Sequence, residues 1–435
     1  MPVTQTNYQG KAKLGQKNES PKAMTAKDQP MTKYDIQPPN LPPVSNLIPE
    51  DPLLLMGAGP VPIATSVANA NSVVINHLGE TMDSVISGLQ KMAQYVYQTM
   101  SDKIIGVSGP SSAAMEMAIS SLVWSGRKVL VLDIGTFSAR WAEMARRSGG
   151  DVTVISGIDI QPVGADQVRE AFKTSRYDVV IVTHGETSSG VFTYELPEIG
   201  AIARESGALT IVDAVTTLGT MPFMMDEWQL DAVVSGGQKG LGAIPGISLV
   251  AFSGQAWQQI EDRDSEPAQW CYDAKLAWQF WGKQQYHYTA PVPGVLALYQ
   301  SLYLIKEETL HKRYLRHQLS SKALQKGIEV MGLQLFVPEE FRLHSVVAIK
   351  MPEGVDSTEL RKYMANQFNV EISGAFGHSI IRIGQMGEQC RAQNLFKTLY
   401  ALGRAFEHLD FKVDVAQAMA VMEENLTLDP ETIID

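Results

Sequence analysis

Seven short β-rich runs set the limits on what this chain can fold into: residues 103–108 (KIIGVS), 128–133 (KVLVLD), 151–156 (DVTVIS), 178–184 (DVVIVTH), 209–214 (LTIVDA), 231–236 (DAVVSG) and 247–253 (ISLVAFS). Helical patterns over 112–125, 137–148, 164–174 and 195–206 fall between most of them, with Gly126, Gly149 and Gly207 placed to end helices in a left-handed cap. Strands this continuously apolar cannot face water on either side. The alternation therefore predicts an α/β fold with a mostly parallel seven-stranded sheet covered by helices on both faces. In such sheets ligands bind beyond the carboxyl ends of the strands, where the loops lie.

The rhythm changes near residue 295. A long helical pattern over 295–331 leads to short strands at 333–337, 344–350, 369–373 and 379–384, with helices at 356–367 and 388–407 and an amphipathic stretch at 414–425. A further helix is expected over 82–100. Residues 1–50 are polar and then punctuated by prolines (QPPNLPPVSNLIPEDP), which reads as a disordered tail running into an extended arm. The expected division is 1–50 for that arm, 51–300 for a large ligand-binding domain, and 301–435 for a smaller C-terminal α+β domain with its tail. A formal charge of −11 argues against nucleic-acid or anionic-membrane partners. No apolar run reaches the ~18–20 residues of a membrane helix. Cys271 and Cys390 form neither a disulfide framework nor a zinc spacing, and no apolar core follows a basic start, so the cytoplasm is the expected compartment.

Chemistry-bearing residues cluster at the strand ends. Lys239 lies between two glycine pairs in SGGQKGLGAIPG (235–246). Small uncharged neighbours desolvate a lysine and favour its neutral amine, the form that makes a Schiff base with an aldehyde. The plainer alternative is a surface lysine in a glycine turn. Asp213 ends an apolar strand, where a half-desolvated carboxylate either pairs with a cation such as a protonated ring nitrogen or caps the next turn. Ser111 and Ser112 open a helix after a strand, as an anion site or as simple caps. Phe137 stands just past a strand end, to stack on a flat ring or to pack in the core. Thr187 lies in the polar loop THGETSSGV, within reach of a ring hydroxyl. Arg382, among Ile380, Ile381 and Ile383, needs a carboxylate, whether from a substrate or from an internal salt bridge. The set amounts to the parts for pyridoxal 5′-phosphate chemistry on an amino acid.

These motifs occur in the order found in one family. Residues 51–405 resemble the class V aminotransferases of fold type I, in particular the alanine–glyoxylate and serine–glyoxylate aminotransferases. SGGQKGLGAIPG resembles the lysine loop, DAVTTLG the aspartate segment 26 residues upstream, and THGETSSGV and RIGQMG match nearly letter for letter. The resemblance implies a pyridoxal 5′-phosphate enzyme that transfers an amino group from a small amino acid (alanine or serine) to a 2-oxo acid (glyoxylate or pyruvate). It implies that Lys239 bonds the cofactor and shuttles the proton, and that Asp213 pairs with the ring nitrogen. Phe137 and Val215 cover the two ring faces, Thr187 bonds near the ring oxygen, and Ser111, Ser112 and Gln238 hold the phosphate. Arg382 binds the substrate carboxylate. The segment YHYTAP implies a homodimer with shared active sites, in which Tyr286 and Thr289 reach the neighbouring subunit's phosphate. Three departures stand out: Tyr288 where many members have histidine, PSS at 110–112, and Leu78 where glyoxylate-using members often have arginine. The rival readings are a cysteine desulfurase, a pyridoxamine–pyruvate aminotransferase and a non-catalytic binding protein.

Overall fold

The computed structural model describes residues 39–375 and 377–427. The disordered tail expected for the first residues lies outside them, apart from residues 39–50, a unit of its own with a short 3-10 turn at Val44–Asn46 and every residue exposed. The polar end after residue 427 also lies outside them.

In chain order the second unit, from Asp51 on, runs β1 (Leu54–Leu55), α1 (Thr65–Asn71), α2 (Glu80–Tyr97), β2 (Ile104–Ser108), α3 (Ser111–Leu122), β3 (Lys128–Asp133), α4 (Thr136–Arg147), β4 (Asp151–Ser156) and α5 (Ala165–Thr174). It continues with β5 (Val179–Thr183), the hairpin β6 (Gly185–Glu186) and β7 (Val191–Phe192), α6 (Leu196–Glu205), β8 (Leu209–Asp213), β9 (Ala232–Gly236), β10 (Ile247–Phe252), α7 (Gly254–Asp262) and α8 (Ala274–Trp281). The last part holds α9 (Val292–Glu308), α10 (Leu310–Val330), β11 (Val346–Lys350), α11 (Ser357–Phe368), β12 (Val370–Glu371), β13 (Ser373–Gly374), β14 (Ile380–Gly384), α12 (Ala392–His408) and α13 (Val415–Leu426).

The main sheet has seven strands in the order β2-β10-β9-β8-β5-β3-β4. All neighbouring pairs are parallel except the two made by β10, which runs antiparallel to β2 and β9. The central strands β5, β8, β9 and β10 are buried at every residue, the burial that their unbroken apolar runs demand. Because β5 and β8 run side by side in register, Thr183 pairs with Asp213 and both strands end at the same edge of the sheet. The loops that follow them, 184–193 and 214–221, therefore start together. That edge is where the site forms.

A second apolar cluster joins α10, α12 and α13 to β11 and β14, with Leu324, Ile328, Ile349, Ile381, Leu399, Leu402 and Phe406 at its centre. The three-stranded sheet β11-β14-β13 carries Arg382 in its middle strand. Two expectations for this region need correction. The helix expected over 295–331 is two helices, broken at Thr309, which takes φ +68° and ψ 147°. Threonine is no strong helix breaker by type, so the break is a tertiary effect: the Leu310 N–H donates to the Tyr95 hydroxyl of α2 at 2.9 Å. The strand expected over 333–337 reduces to a single bridge between Leu335 and Ile349. Among the described residues no helix is long and apolar enough to cross a membrane.

Candidate active site

Lys239 sits in the turn between β9 and β10, half-buried, with its amine largely desolvated. Its Nζ donates to the carbonyl oxygen of Ala58. The segment 56–59 lies directly over the amine: a Cβ added at Gly59, where φ is +95°, would fall 2.5 Å from Nζ and 2.6 Å from Cδ. Only glycine allows the chain to turn there and approach so closely. The covering segment is itself pinned. The Gln389 amide donates to the carbonyls of Leu55 (2.8 Å) and Gly57 (2.7 Å), and the Ala58 N–H donates to the Ser373 hydroxyl at 3.0 Å. Burial is the main cause that lowers the Lys239 pKa from its ordinary 10.5 to about 8; the Arg382 charge adds to it and Asp213 opposes it.

Asp213 ends β8, 6% exposed. Its Oδ1 accepts the Val215 N–H at 3.0 Å and its Oδ2 accepts the indole N–H of Trp141 at 3.0 Å. The turn-capping role is thus real but uses one oxygen only. Trp141, wholly buried on α4, is a site residue that the sequence reading passed over. Burial lifts the Asp213 pKa from 3.8 to about 6 against these two donors; nearby Glu186 raises it further and Lys239 lowers it. The lysine and the aspartate therefore sense each other's charge.

Arg382 is 7% exposed on β14. The internal salt bridge considered as its alternative is not formed among the described residues. Its Nε donates to the Gly374 carbonyl at 2.9 Å, Nη2 to the same oxygen, and Nη1 to the Thr187 carbonyl at 2.5 Å. Three of the five guanidinium N–H donors are thereby used, and two remain for a carboxylate. Thr187 is buried in the β6–β7 hairpin loop, and Val215 is buried beside Asp213.

The start of α3 has no side-chain cap. Pro110 occupies the capping position, so Ser111 is not the ordinary N-cap, and its hydroxyl accepts the Gln238 amide at 3.0 Å instead. The N–H groups of Ser111 and Ser112 find no partner among the described residues, while Ala113 N–H bonds the Pro110 carbonyl. Gln238 Oε1 is buried without a partner. Turning that amide over keeps the Ser111 contact, with the hydroxyl donating to Oε1, and aims the two N–H donors where Oε1 has none. A helix N-terminus with open donors, a hydroxyl and an amide fits a phosphate dianion. Arg140 adds a cation that was not foreseen: its guanidinium donates to Ser112 Oγ at 3.4 Å and lies 4.9 Å from the centre of the Phe137 ring. Phe137 is half-buried in the first turn of α4, not sealed into the core.

Two of the foreseen residues do not join this group within the chain. Tyr286 is 61% exposed and Thr289 is exposed, and neither side chain hydrogen-bonds a described residue. Tyr286 packs edge-on against His77, with ring centres 5.9 Å apart.

Behind the lysine loop stands a buried cation that the sequence reading also missed. Arg313 of α10, 4% exposed, donates to the carbonyls of Gly219 (2.6 Å) and Gly240 (3.0 Å) and to Glu308 (3.0 Å). Glu308 also holds Arg316, whose Nη1 donates to the Gly387 carbonyl at 2.7 Å. His317 accepts the Gly387 N–H at 3.0 Å and donates from Nδ1 to the Arg313 carbonyl at 2.7 Å, which fixes it as one neutral tautomer. Burial, with Arg313 and Arg316 close by, holds its pKa well below the usual histidine range.

With this geometry in place, comparison with known proteins is informative. The sequence pattern of the class-V aminotransferase family matches residues 63–393. The alanine–glyoxylate aminotransferase of Drosophila melanogaster is 32% identical over 374 residues, spanning 83% of this chain and 95% of that protein. The enzyme of the same description from Rattus norvegicus is 32% identical over 364 residues, spanning 82% and 88%. Among solved structures, ureidoglycine–glyoxylate aminotransferase from Bacillus subtilis superposes with a TM-score of 0.83 at 27% identity, covering 86% of this chain and 97% of that one. Alanine–glyoxylate aminotransferase from Nostoc sp. gives 0.79 at 33% identity, covering 86% and 98%. The chain belongs to the class V aminotransferases and is a pyridoxal-phosphate-dependent enzyme.

The buried aspartate gives a test that needs no substrate. Between about pH 4 and 6 the native protein holds a proton on Asp213 that the unfolded chain has already released. Stability therefore falls as pH rises through that window and stays lowered above it, by roughly 3 kcal/mol for a shift of about two pKa units. In the cofactor-free protein Asp213→Asn should unfold at a higher temperature than the parent at pH 7, with the difference closing near pH 4. A parent more stable than the variant at pH 7 would contradict this account of the carboxylate.

Proposed function

We propose that this chain moves the amino group of a small amino acid, alanine or serine, to glyoxylate or pyruvate. The observation that carries the proposal is Arg382, a buried guanidinium with two free donors that shares one electrostatic environment with Lys239 and Asp213. The substrates named for its relatives support the same choice.

Pyridoxal phosphate, when bound, supplies an aldehyde that takes up the amino group and a ring that accepts the electron pair left by the α-proton. The chain's own residues do the rest. Ser111, Ser112 and the Gln238 amide hold the phosphate at the start of α3, with Arg140 beside them. Phe137 and Val215 sandwich the ring, and Thr187 orients its oxygen. Asp213 keeps a proton at the ring nitrogen, a carboxylate there being favoured by the cation it faces. Lys239 would hold the aldehyde end and, as a free amine, would carry the proton at the substrate's α-carbon. Its lowered pKa suits both tasks, since a general base works best when it titrates near the working pH. Arg382 grips the α-carboxylate and so fixes which bond of the substrate is presented to Lys239.

The desulfurase reading finds no reactive thiol in Cys390, which is buried with its thiol pushed up to about 11 by desolvation; Cys271 is exposed, but in the short 3-10 turn Trp270–Tyr272 and outside the motifs that build the site. No second cation joins Arg382 in the motifs that build the substrate side, so acidic side chains on a donor have nothing to meet. A rapid-mixing screen of the cofactor-loaded enzyme tests this, following the cofactor's visible band with each amino acid and its return with each oxo acid. Alanine and serine should react faster than aspartate and glutamate, and glyoxylate or pyruvate should reverse the change. Lys239→Ala should show neither the change nor covalent cofactor after borohydride reduction. Glutamate or aspartate reacting fastest would overturn the substrate assignment.

We also propose a homodimer in which Tyr286 and Thr289 complete the partner's phosphate cup, since both are exposed and unbonded in the single chain. Mixing Lys239→Ala chains with Tyr286→Phe/Thr289→Ala chains under conditions of subunit exchange should restore part of the activity, because one site of each heterodimer is then intact. No recovery after proven exchange of two defective parents would rule out sharing.

A further inference from the structure

One wholly buried carboxylate has no task in the scheme above. Glu186 is 0% exposed, in β6 of the hairpin that follows β5. Its oxygens accept the backbone N–H of Phe137 at 3.1 Å, of Ser138 at 3.0 Å and of Ser188 at 3.0 Å, and the Ser188 hydroxyl at 2.5 Å. The Ser188 oxygen also accepts the Thr136 N–H at 3.1 Å. Helix α4 begins after Gly135, which has no side chain with which to cap it. Its first three N–H groups are instead satisfied by residues 186 and 188, some fifty positions away. This makes α4 the opposite of α3: one helix N-terminus is filled by a carboxylate of the chain, the other is left open for a phosphate.

The same turn also touches the substrate side. The carbonyl of Thr187, between the two capping residues, accepts from Arg382. Residues 186–188 thus tie the first turn of α4, which carries Phe137, to the strand that carries Arg382. Gly135 is what allows the approach: a Cβ there would lie 2.7 Å from Glu186 Cγ and 2.8 Å from Ser188 Oγ. With four donors on its two oxygens, Glu186 has no free lone pair with which to act as a base on a substrate.

We infer that Glu186 is a positioning residue that, seated against Gly135, locks the Phe137 ring in register with the Arg382 guanidinium, so that one rigid turn sets the spacing between the cofactor ring and the substrate carboxylate. The inference rests on the reading that Phe137 stacks on the cofactor and Arg382 binds the carboxylate.

The test uses full-length cofactor-free protein titrated with pyridoxal phosphate, following the dissociation constant and the visible circular dichroism of the bound cofactor, which reports how the ring is held. Glu186→Gln turns one acceptor into an NH2 that faces backbone donors. Gly135→Ala keeps the charge but pushes it off its seat. Both should raise the dissociation constant roughly tenfold or more, the scale of a hydrogen bond to a charged group, and both should weaken the visible dichroism per bound cofactor. Ser188→Ala, which keeps the charge and removes one donor, should shift both readouts the same way by less, and it decides the matter if the other two variants fail to fold. Folded variants with a lowered melting temperature but with both cofactor readouts within twofold of the parent would show a plain helix cap and overturn the inference. Borohydride reduction of the same samples separates the two levels. Parent protein that fixes no cofactor on Lys239 defeats the underlying reading of the site, whereas a labelled Lys239 with unchanged variants defeats this inference alone.

Discussion

An amine kept out of water opposite a carboxylate kept out of water is the interaction on which the rest of this structure depends. Each group alone would be costly to bury. Together they hold one another's charge while desolvation pulls both pKa values toward neutrality, Lys239 down to about 8 and Asp213 up to about 6. The fold supplies this pairing by ending β8 at Asp213 and turning out of β9 at Lys239, adjacent strands of one sheet. The lid over the amine comes from elsewhere, the segment around Ala58 and Gly59.

Holding a lysine in that position requires a rigid back wall. Arg313, Glu308, Arg316 and His317 provide it, joining the carbonyls behind the lysine loop to the peptide of Gly387, five residues beyond Arg382. A buried ion cluster of this kind is poor evidence of stability, because desolvation offsets the attraction between charges. Its value lies in geometry: both of its arginines also bond backbone carbonyls, so the loops that carry the amine and the carboxylate clamp cannot drift independently. The Gln389 amide extends the same control to the segment that covers Lys239.

How much of this was legible in the sequence follows from the range of each interaction. Lys239, Asp213 and Arg382 stood out because each is a polar residue in a locally apolar or glycine-rich context, and that context is written in the adjacent letters. The seven strands were legible for the same reason, with β10 unrecognised as the antiparallel member because its run looks like the others. Trp141, Glu186 and Arg313 were not legible. Each has a defining partner far off in the chain, 72, 49 and 73 positions away, and nothing beside Trp141 or Arg313 distinguishes a buried role from a surface one. The break at Thr309 was hidden likewise, since it is imposed by Tyr95. Glu186 did carry one signal: a lone carboxylate in an otherwise uncharged stretch, GETSSGVFTY, bounded by two short strands.

The central claim is that burial under the Ala58–Gly59 segment sets the basicity of Lys239, and titrating that amine tests it most directly. In the cofactor-free protein, the rate of modification of Lys239 by a small amine-reactive reagent, read by peptide mass, should rise with pH through a midpoint near 8. A midpoint near the ordinary 10.5 would show the amine to be solvated and would contradict the account of how this site prepares its lysine.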